Sequence, residues 1–511
     1  MLHVDVALSA GHLVCQTADD LSRMVRAMQS NPDRGVDFES DGRKVFEGKR
    51  PISYGVGFIP ASGGWPQVWY VPFGHRTTEP QVSPDAAARA FNDSLTGARS
   101  IIGHNLKFEL NMARAAGLII PEDAALHDTF IQAYQNYEKR PLDLESVVEN
   151  ERVGRWADPF EMKRKVGEYI EWRAKMHRLP VKKDDKKSGR LSYLSRFGHS
   201  EVPIGLEAEY TCRDVSHALC LDAKQRSQAM GLGTELEAQR RYLYANEMML
   251  VRALAEIEWH GQPLDRDYLL QFSSELELEL QEYEQKLTTT FGVHLDWRKD
   301  ADQRRLLYEV LRFPVTRMTD GGRTGLHKQP SVDRAALEEM RHLHPGIEIL
   351  AEYKAHKKAY ESFSHSLAFE VGQDGRVHTD FRQTGTDSGR LSSADPNLQN
   401  ISKRHKTLTK RIRRAWTVDP GKVRIHLDYS QIELRMLAHI CQAATFLKAY
   451  RSPAYDAYRR GEIDYDAYRW YRRFEPEVDV HRDVAIATLG MARTHPDFKL
   501  KRWAAKIVNF G

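Results

Sequence analysis

Two pairs of side chains in the N-terminal half of the chain have the spacing of a site that could bind metal ions. Asp37 and Glu39 lie two residues apart in a predicted strand, so their side chains share one face. Tyr210 and Asp214 lie four residues apart in a predicted helix and also share a face. Glu109 lies at the start of another predicted helix. If these acids converge, two carboxylates ~4 Å apart repel by roughly 4 kcal/mol, so the cluster would need cations.

Carboxylate oxygens are hard ligands, which favour Mg²⁺ or Mn²⁺. Two such ions about 4 Å apart can activate a water and stabilise the leaving oxygen of a phosphodiester. The hydroxyl of Tyr210 could orient that water. Taken alone, however, Asp-x-Glu and Tyr-x-x-x-Asp are more often solvated surface pairs, and spacing does not establish that they meet.

Three segments, in their order and approximate spacing, resemble the proofreading 3′→5′ exonuclease of DNA polymerases. They are Asp37-Phe-Glu39, Asn105-Leu-Lys-Phe-Glu109 and Tyr210-Thr-Cys-Arg-Asp214. The resemblance implies an active nuclease in which Asp37, Glu39, Glu109 and Asp214 bind two metal ions. The family usually has Asp at the position of Glu109, and the additional methylene displaces the carboxylate.

Further segments resemble family A DNA polymerases. The segment from Ser388 to Ile401 is closely similar to one motif of that family, and Asp428-Tyr-Ser-Gln-Ile-Glu-Leu-Arg435 matches its first palm motif without a substitution. The resemblance covers the chain from about residue 30 onward. It implies a ribonuclease H-like α/β exonuclease domain with a mixed sheet, followed by a right-hand polymerase with a helical thumb, partial palm and partial fingers.

The palm and fingers motifs imply a nucleotide site. Asp428 would be a catalytic, metal-binding acid, and Glu433 a steric gate against a ribose 2′-hydroxyl. Ser430 and Glu433 also form a Ser-x-x-Glu capping box, worth about 1 kcal/mol, and both roles of Glu433 can hold together. The implied nucleotide-binding residues are Tyr429, Glu433, His481, Arg502, Lys506 and Phe510. The last three recur every four residues, so a helix would align them on one face.

The charge of the chain is concentrated beside this site. Nine Lys or Arg residues against one acid, Asp419, lie from Ile401 to Arg424, which predicts salt-dependent binding to a phosphate backbone. Minor-groove acceptors are nearly degenerate, so contacts there can test base-pair geometry without reading sequence. The predicted DNA-binding residues are Arg390, Asn397, Gln399, Asn400, Lys403 and Arg414.

Hydrophobic periodicity predicts the elements that would position these residues. Strands are predicted at 35–39, 52–58, 68–71, 98–102 and 423–427, and helices at 106–116, from 235 onward, at 272–287 and at 332–358. The predicted domains are an exonuclease at 1–235, thumb and start of palm at 236–375, and palm and fingers at 376–511. An exposed basic loop is predicted near 181–190. A repeat, Tyr455-Asp-Ala-Tyr-Arg459 and Tyr465-Asp-Ala-Tyr-Arg469, predicts a surface helical insertion, with nucleic-acid contact as the alternative.

Bulk composition sets wider limits. A chain of 511 residues suggests roughly three units. The net charge of +4 is too small to identify a partner. The four cysteines form no C-x-x-C pair, which fits a reducing compartment. No apolar run is long enough for a membrane span, so we expect a cytoplasmic protein, in a bacterial host if it is of phage origin.

Family A polymerases also need a second palm acid, from a His-Asp-Glu turn downstream of the fingers helix. The sequence ends at Gly511, before such a turn. We therefore expect that this polypeptide alone does not polymerise, and that it is a fragment or half of a split enzyme completed by a second chain. The absence of a 5′-nuclease domain suggests a phage-type enzyme.

The leading hypothesis is a DNA-directed DNA polymerase with a 3′→5′ proofreading exonuclease, used in DNA replication. Its partners would be primer–template DNA and deoxynucleoside triphosphates, with two Mg²⁺ or Mn²⁺ ions per active site. The alternatives are a stand-alone metal-dependent 3′→5′ exonuclease and a non-catalytic DNA-binding fragment.

Overall fold

The chain divides into two compact units, Met1–Pro420 and Gly421–Gly511. The computed structural model describes residues 7–42, 45–48, 50–136, 141–176, 198–229, 234–319, 328–401, 405–429, 431–442, 447, 450 and 453–467. The basic loop predicted near 181–190 lies outside these residues. Among the helices of the described residues, none is both long enough and apolar enough to span a bilayer.

A six-stranded mixed sheet forms the N-terminal part of the first unit, in the order β1-β4-β3-β2-β5-β6. The central strands β2, β3 and β4 pair antiparallel, whereas β1 pairs parallel with β4, and β5 pairs parallel with both β2 and β6. The strands are β1 His12–Val14, β2 Asp33–Ser40, β3 Pro51–Phe58, β4 Gln67–Pro72, β5 Ser100–Gly103 and β6 Ala125–Asp128.

Helices cover both faces of this sheet. Those of the N-terminal part are α1 Ala18–Gln29, α2 Pro84–Leu95, α3 Leu106–Ala115, α4 Thr129–Asn136, α5 Leu144–Glu151, α6 Glu161–Met176 and α7 Ile204–Ala229. Several begin at residues suited to that position. Thr17 and Asp20 form a capping box at α1, and Ser83 caps α2 with Pro84 in its first turn, which satisfies backbone N–H groups that a helix start leaves unpaired.

Side chains along β2 alternate between the two faces of the sheet, so its acidic residues and its core residues lie on opposite faces. Val36 and Phe38 point into a hydrophobic cluster on one face of the sheet. Gly35, Asp37 and Glu39 therefore point to the other face, where α7 packs. This alternation presents two carboxylates to a helix rather than to the main core.

Two glycines let α7 approach the sheet closely. A Cβ at Gly35 would lie 3.0 Å from Val215 Cγ1, and one at Gly55 would lie 2.9 Å from Val215 Cγ2. Both distances are too short for ordinary packing, so larger residues would push the helix outward. The acids of α7 can therefore reach those of β2.

The rest of the first unit is mainly helical. Its helices are α8 Thr234–His260, α9 Arg266–Phe291, α10 Asp300–Arg304, α11 Arg334–Glu339, α12 Gly346–Ala359, α13 His365–Glu370 and α14 Lys406–Arg414. Residues Arg305–Val310 and Tyr360–Ser364 form π-helical turns. Four short strands pair in two antiparallel ribbons, β7 Gln262–Pro263 with β8 Arg376–Val377, and β9 Asp380–Arg382 with β10 Ser392–Ala394.

The prediction of one continuous helix at 332–358 is wrong. The structure has two helices there, α11 and α12, separated by residues 340–345. Pro345, at the N-cap position of α12, explains the break. Proline lacks an N–H donor and disfavours a helical conformation at the residue before it, so it starts a helix rather than continuing one.

A partly buried lysine joins the sheet region to the helical region. The Nζ of Lys107, on α3, lies 2.5 Å from Glu258 Oε1 on α8 and 2.6 Å from Asp380 Oδ1 on β9. It also donates to the carbonyl of Phe381. Glu258 is 5% exposed and accepts a further hydrogen bond from Asn111. The ammonium group thus compensates an acid that has little access to water.

The second unit contains helices α15 Ile432–Cys441 and α16 Pro453–Arg459. The prediction of a strand at 423–427 is wrong. No described residue pairs with this segment in a sheet. Val423, Ile425 and Leu427 are instead 83%, 75% and 92% exposed. An alternating apolar pattern forms a strand only when a neighbour satisfies its backbone groups.

Candidate metal and nucleic-acid sites

Three of the predicted metal ligands converge between β2 and α7. One carboxylate oxygen from each of Asp37, Glu39 and Asp214 lies within 4.8 Å of the other two. Glu39 is buried, whereas Asp37 and Asp214 keep partial exposure, so the cluster has access to solvent. The side chain of Thr211 lies 3.4 Å from Glu39 Oε1. The convergence that spacing could not establish is therefore present.

Glu109, the fourth predicted ligand, lies beside this group. It is 2% exposed, and its carboxylate accepts a hydrogen bond from the backbone N–H of Phe38. Its Oε2 is buried and makes no hydrogen bond. It does not belong to the three-acid group defined by the 4.8 Å limit. A buried carboxylate oxygen with no donor is suited to a cation.

Burial and mutual repulsion raise the pKa values of these acids. Burial, and then the charge of Glu207, raise the pKa of Asp37 to about 7. Burial and the charge of Asp37 raise the pKa of Glu109 well above its ordinary value. Burial and the charge of Glu145 do the same to the pKa of Asp214. Without cations, the folded protein therefore prefers these groups protonated.

Three functional candidates were missed by the sequence analysis. His199 Nδ1 lies 2.6 Å from Glu207 Oε1 and 3.4 Å from Glu39 Oε2. Burial alone would lower the pKa of His199, but the charge of Glu207 raises it above its ordinary value. Glu145 is the third candidate, and its carboxylate pairs with Lys163 at 2.7 Å. Only Glu207 had a sequence signal, since it lies seven residues before Asp214 on the same helix.

Tyr210 lies where it could act on a water at the cluster. Its hydroxyl forms a hydrogen bond with Asp214. Burial and the charge of Asp214 raise the pKa of Tyr210 well above its ordinary value, so the hydroxyl stays protonated. Its ring stacks on His199, with centroids 6.1 Å apart. The hydroxyl is therefore held in one position beside the carboxylates.

The donor set fits hard divalent ions. Asp37, Glu39, Glu109 and Asp214 supply only oxygens, and one of those oxygens is buried without a partner. Mg²⁺ and Mn²⁺ prefer such ligands and usually retain waters, which the partial exposure of Asp37 and Asp214 permits.

We expect Mg²⁺ to stabilise the protein more at pH 8 than at pH 6. The folded-state pKa values of these carboxyls are raised, so their contribution to stability is present at low pH and is lost as pH rises, through about 7 for Asp37. Mg²⁺ replaces the lost protons at pH 8 but must compete with them at pH 6. Thermal melts with EDTA or Mg²⁺ at both values measure this difference. An equal Mg²⁺-induced rise in Tm at both pH values would contradict it, and Asp214→Asn should reduce the difference.

Glu109→Gln should raise the stability of the protein and lower its nuclease activity. The Gln carbonyl can still accept the N–H of Phe38, while one of several repelling charges is removed. We expect the unfolding free energy in EDTA at pH 8 to rise by ~1 kcal/mol and metal-dependent nuclease activity to fall. Glu122→Gln, at an exposed acid, is the control and should change neither. A Glu109→Gln protein less stable than the parent in EDTA would show that this carboxylate is already compensated.

The predicted DNA-binding residues that the structure describes lie on the surface of the first unit. Arg390, Asn397, Gln399 and Asn400 are exposed in the segment around β10. The Oδ1 of Asn397 accepts from the backbone N–H groups of Gln399 and Asn400, at 3.1 and 3.2 Å, so it shapes this loop. Arg414 is exposed on α14, with its guanidinium 4.8 Å from the ring centroid of Tyr268. Their DNA contacts remain predictions.

The described nucleotide-site residues lie in the second unit. Asp428 and Tyr429 are exposed in the segment before α15, and Glu433 is in its first turn. The capping box predicted for Ser430 and Glu433 stays a prediction, because Ser430 is outside the part of the chain that the structure describes. The N-cap position of α15 is Gln431, in a left-handed conformation. The helix therefore begins one residue later than predicted. The predicted residues Lys403, Ser430, His481, Arg502, Lys506 and Phe510 lie outside the described residues.

The tyrosine repeat is partly described. Its first copy lies in α16, and the second is described as far as residue 467. The rings of Tyr458 and Tyr465 meet edge to face with centroids 6.0 Å apart. Tyr465 is 57% exposed. The first copy is therefore helical, and the interpretation of the repeat as a surface insertion stays a prediction.

Comparison with known proteins agrees with this architecture, a mixed α/β domain followed by a helical domain with polymerase motifs. The chain is 34% identical over 317 residues to a thermostable DNA polymerase I of Thermus thermophilus, covering 61% of this chain and 34% of the relative. It is 32% identical over 275 residues to DNA polymerase I of Caldicellulosiruptor bescii, covering 53% and 28%. The chain thus spans about a third of the length of these curated relatives.

A solved structure shares the fold. The POL domain of Pol1 from M. smegmatis, in complex with DNA primer-template and dNTP, matches with a TM-score of 0.64 and 20% identity over 98% of this chain and 70% of that one. The predicted fold class is thereby confirmed. Residues 266–511 match the model of DNA polymerase family A. This part of the chain is therefore similar to family A DNA polymerases.

Proposed function

We propose that this chain is a DNA-directed DNA polymerase with a 3′→5′ proofreading exonuclease, acting in DNA replication. The convergence of Asp37, Glu39 and Asp214 within 4.8 Å carries the nuclease half of the proposal. The family match over residues 266–511 supports the polymerase half. We assign the nuclease to residues 1–235, thumb and start of palm to 236–375, and palm and fingers to 376–511.

In the nuclease site, the four acids Asp37, Glu39, Glu109 and Asp214 would hold two Mg²⁺ or Mn²⁺ ions. Bound ions would supply activation of a water and stabilisation of the leaving oxygen. The protein's own contribution is positioning. Tyr210, which donates a hydrogen bond to Asp214, would accept a hydrogen bond from the attacking water and so orient it.

In the polymerase site, Asp428 would bind a metal ion and would need further acids to complete the clamp. Glu433 would limit the sugar to deoxyribose, and the other nucleotide contacts would come from Tyr429, His481, Arg502, Lys506 and Phe510. We propose primer–template DNA and deoxynucleoside triphosphates as partners. Their presence in the similar M. smegmatis complex supports this choice.

Two assays with two variants test both halves. The first follows release of single nucleotides from a 3′-labelled strand with Mg²⁺ or Mn²⁺. The second follows extension of a primer with dNTPs after a second chain that carries a further palm acid is added. Asp37→Asn should abolish release without reducing extension, and Asp428→Asn should do the reverse. Release without extension, even with the added chain, would support the stand-alone exonuclease instead. DNA binding with neither activity would overturn both halves in favour of the non-catalytic fragment.

A further inference from the structure

A second cluster of metal-binding side chains lies far along the sequence from the nuclease motifs. Glu352 and His356 are one turn apart on α12, and His405 is the N-cap residue of α14. One ligand atom from each lies within 4.8 Å of the others. Glu279, on α9, lies beside them, with its Oε2 3.4 Å from His356 Nε2. The cluster thus draws on three helices, and none of its residues belongs to the sites described above.

The tautomer of His356 is fixed by its surroundings. Its Nδ1 lies 2.8 Å from the backbone carbonyl of Glu352, which can only accept, so Nδ1 carries a hydrogen. In the neutral ring, Nε2 then carries a lone pair directed toward the Glu279 carboxylate. His356 is 7% exposed, so little water can separate the two groups. A nitrogen lone pair that faces a carboxylate oxygen is a position suited to a metal ion. Backbone bonding of the distal nitrogen is also how metal-ligating histidines are usually oriented.

His405 has a different arrangement. Its Nε2 lies 2.9 Å from Glu352 Oε2, and its Nδ1 accepts the backbone N–H of Leu408 at 3.1 Å. The hydrogen of the neutral ring is therefore on Nε2, donated to Glu352. For a metal to bind Nε2, that hydrogen must move to Nδ1, which gives up the bond from Leu408. Coordination would thus break the hydrogen bond by which His405 caps α14. Metal binding and helix capping therefore compete for the His405 ring.

We propose that Glu352, His356 and His405 form a site for a zinc-class divalent ion, with Glu279 or a water as fourth ligand. Two imidazoles with carboxylate oxygens suit Zn²⁺, whereas Mg²⁺ prefers oxygen alone. Tetrahedral zinc bonds of about 2.0–2.2 Å place ligand atoms roughly 3.4 Å apart, so small side-chain rotations would close the present spacing. Glu352 and His405 are partly exposed, which gives an ion access from solvent.

The ion would act as a structural link. It would join α9, α12 and the start of α14, the basic helix that carries Arg411, Arg413 and Arg414. Arg411 already bonds Glu279 at 2.8 Å and Glu275 at 2.9 Å, so α9 and α14 are connected next to the site. A bound ion would therefore fix the position of basic side chains without taking part in either active site.

Zinc titration of the full chain tests the proposal. The protein is stripped with EDTA, exchanged into buffer with excess Mg²⁺ to occupy the acidic cluster, and titrated with Zn²⁺ against a chromophoric chelator. His356→Gln and His405→Gln are the test variants. His342→Gln, at an exposed histidine between α11 and α12, is the matched control. Circular dichroism checks that each variant is folded. Because His405 is partly exposed, the His405→Gln variant still tests the proposal if the His356→Gln variant misfolds.

The parent chain and the control should each bind one more zinc ion than the two test variants, or bind it at least tenfold more tightly. Zinc should also raise the Tm of the first two proteins but not of the test variants. Equal zinc stoichiometry and affinity in all four proteins would overturn the proposal. So would a parent chain that binds no zinc under these conditions.

Discussion

Asp214→Asn is expected to lower Mg²⁺-dependent release of 3′ nucleotides by roughly 10²–10³-fold, the usual cost of losing one electrostatic contributor to a transition state. The substitution keeps the size of the side chain and its ability to accept a hydrogen bond from Tyr210, but it removes the negative charge of one of the three carboxylates whose oxygens converge within 4.8 Å. Rates of nucleotide release are measured at saturating Mg²⁺ and again with Mn²⁺. The comparison tests whether an ion that binds more tightly compensates for the lost charge.

Asp93→Asn is the matched control for this prediction. Asp93 is exposed on α2 of the same domain, so its replacement should leave nucleotide release within about twofold, as for most surface changes. Primer–template affinity, measured by fluorescence anisotropy, should be similar for both variants. A loss of DNA binding in Asp214→Asn as large as its loss of nucleotide release would show that the acid acts on binding rather than on the chemical step.

Lys107→Met should destabilise the chain by about 3–5 kcal/mol, because it leaves a buried carboxylate without its countercharge. Glu258 is 5% exposed, and burial already raises its pKa while Lys107 lowers it. Without Lys107 the folded-state pKa of Glu258 rises further. The stability of the variant is therefore retained best at low pH and is lost as pH rises. Urea denaturation at pH 5.5 and pH 8 should show a larger deficit at pH 8.

Two further variants isolate the buried charge. Lys107→Met with Glu258→Gln should recover much of the loss, because the amide oxygen still accepts the backbone N–H of Phe381. Its NH₂ group can donate to Asn111 once the Asn111 amide turns its oxygen toward it. Lys165→Met removes an exposed pair with Glu161 and should cost less than about 1 kcal/mol. If the double variant is no more stable than Lys107→Met, then lost packing of the lysine stem, not an uncompensated charge, explains the deficit.

The nuclease candidates were predictable because their geometry is local. Two-residue spacing on a strand and four-residue spacing on a helix place Asp37 with Glu39, and Tyr210 with Asp214, whatever the rest of the chain does. The resemblance to known motifs then related the two pairs. Their approach depends on Gly35 and Gly55, which admit α7 to the sheet, and sequence periodicity does not reveal that fit.

The missed residues depend on tertiary contacts. Glu145 and His199 reach the cluster from α5 and from a short 3₁₀ turn, and nothing in their sequence neighbourhoods indicates this. The edge strands β1 and β6 were also missed, since they have three and four residues and too little alternation to detect. The error at 332–358 arose because Pro345 interrupts a helical pattern. The error at 423–427 arose because a pattern typical of a strand has no pairing partner in the described residues.

The apolar side chains of residues 423–429 have a practical consequence for handling the protein. Val423, Ile425, Leu427 and Tyr429 alternate along the chain, and each is at least 75% exposed. Exposed apolar side chains that lie this close together favour association between molecules. Concentrated preparations should therefore self-associate through this stretch, and a charged substitution such as Ile425→Lys should improve solubility while leaving Asp428 unchanged.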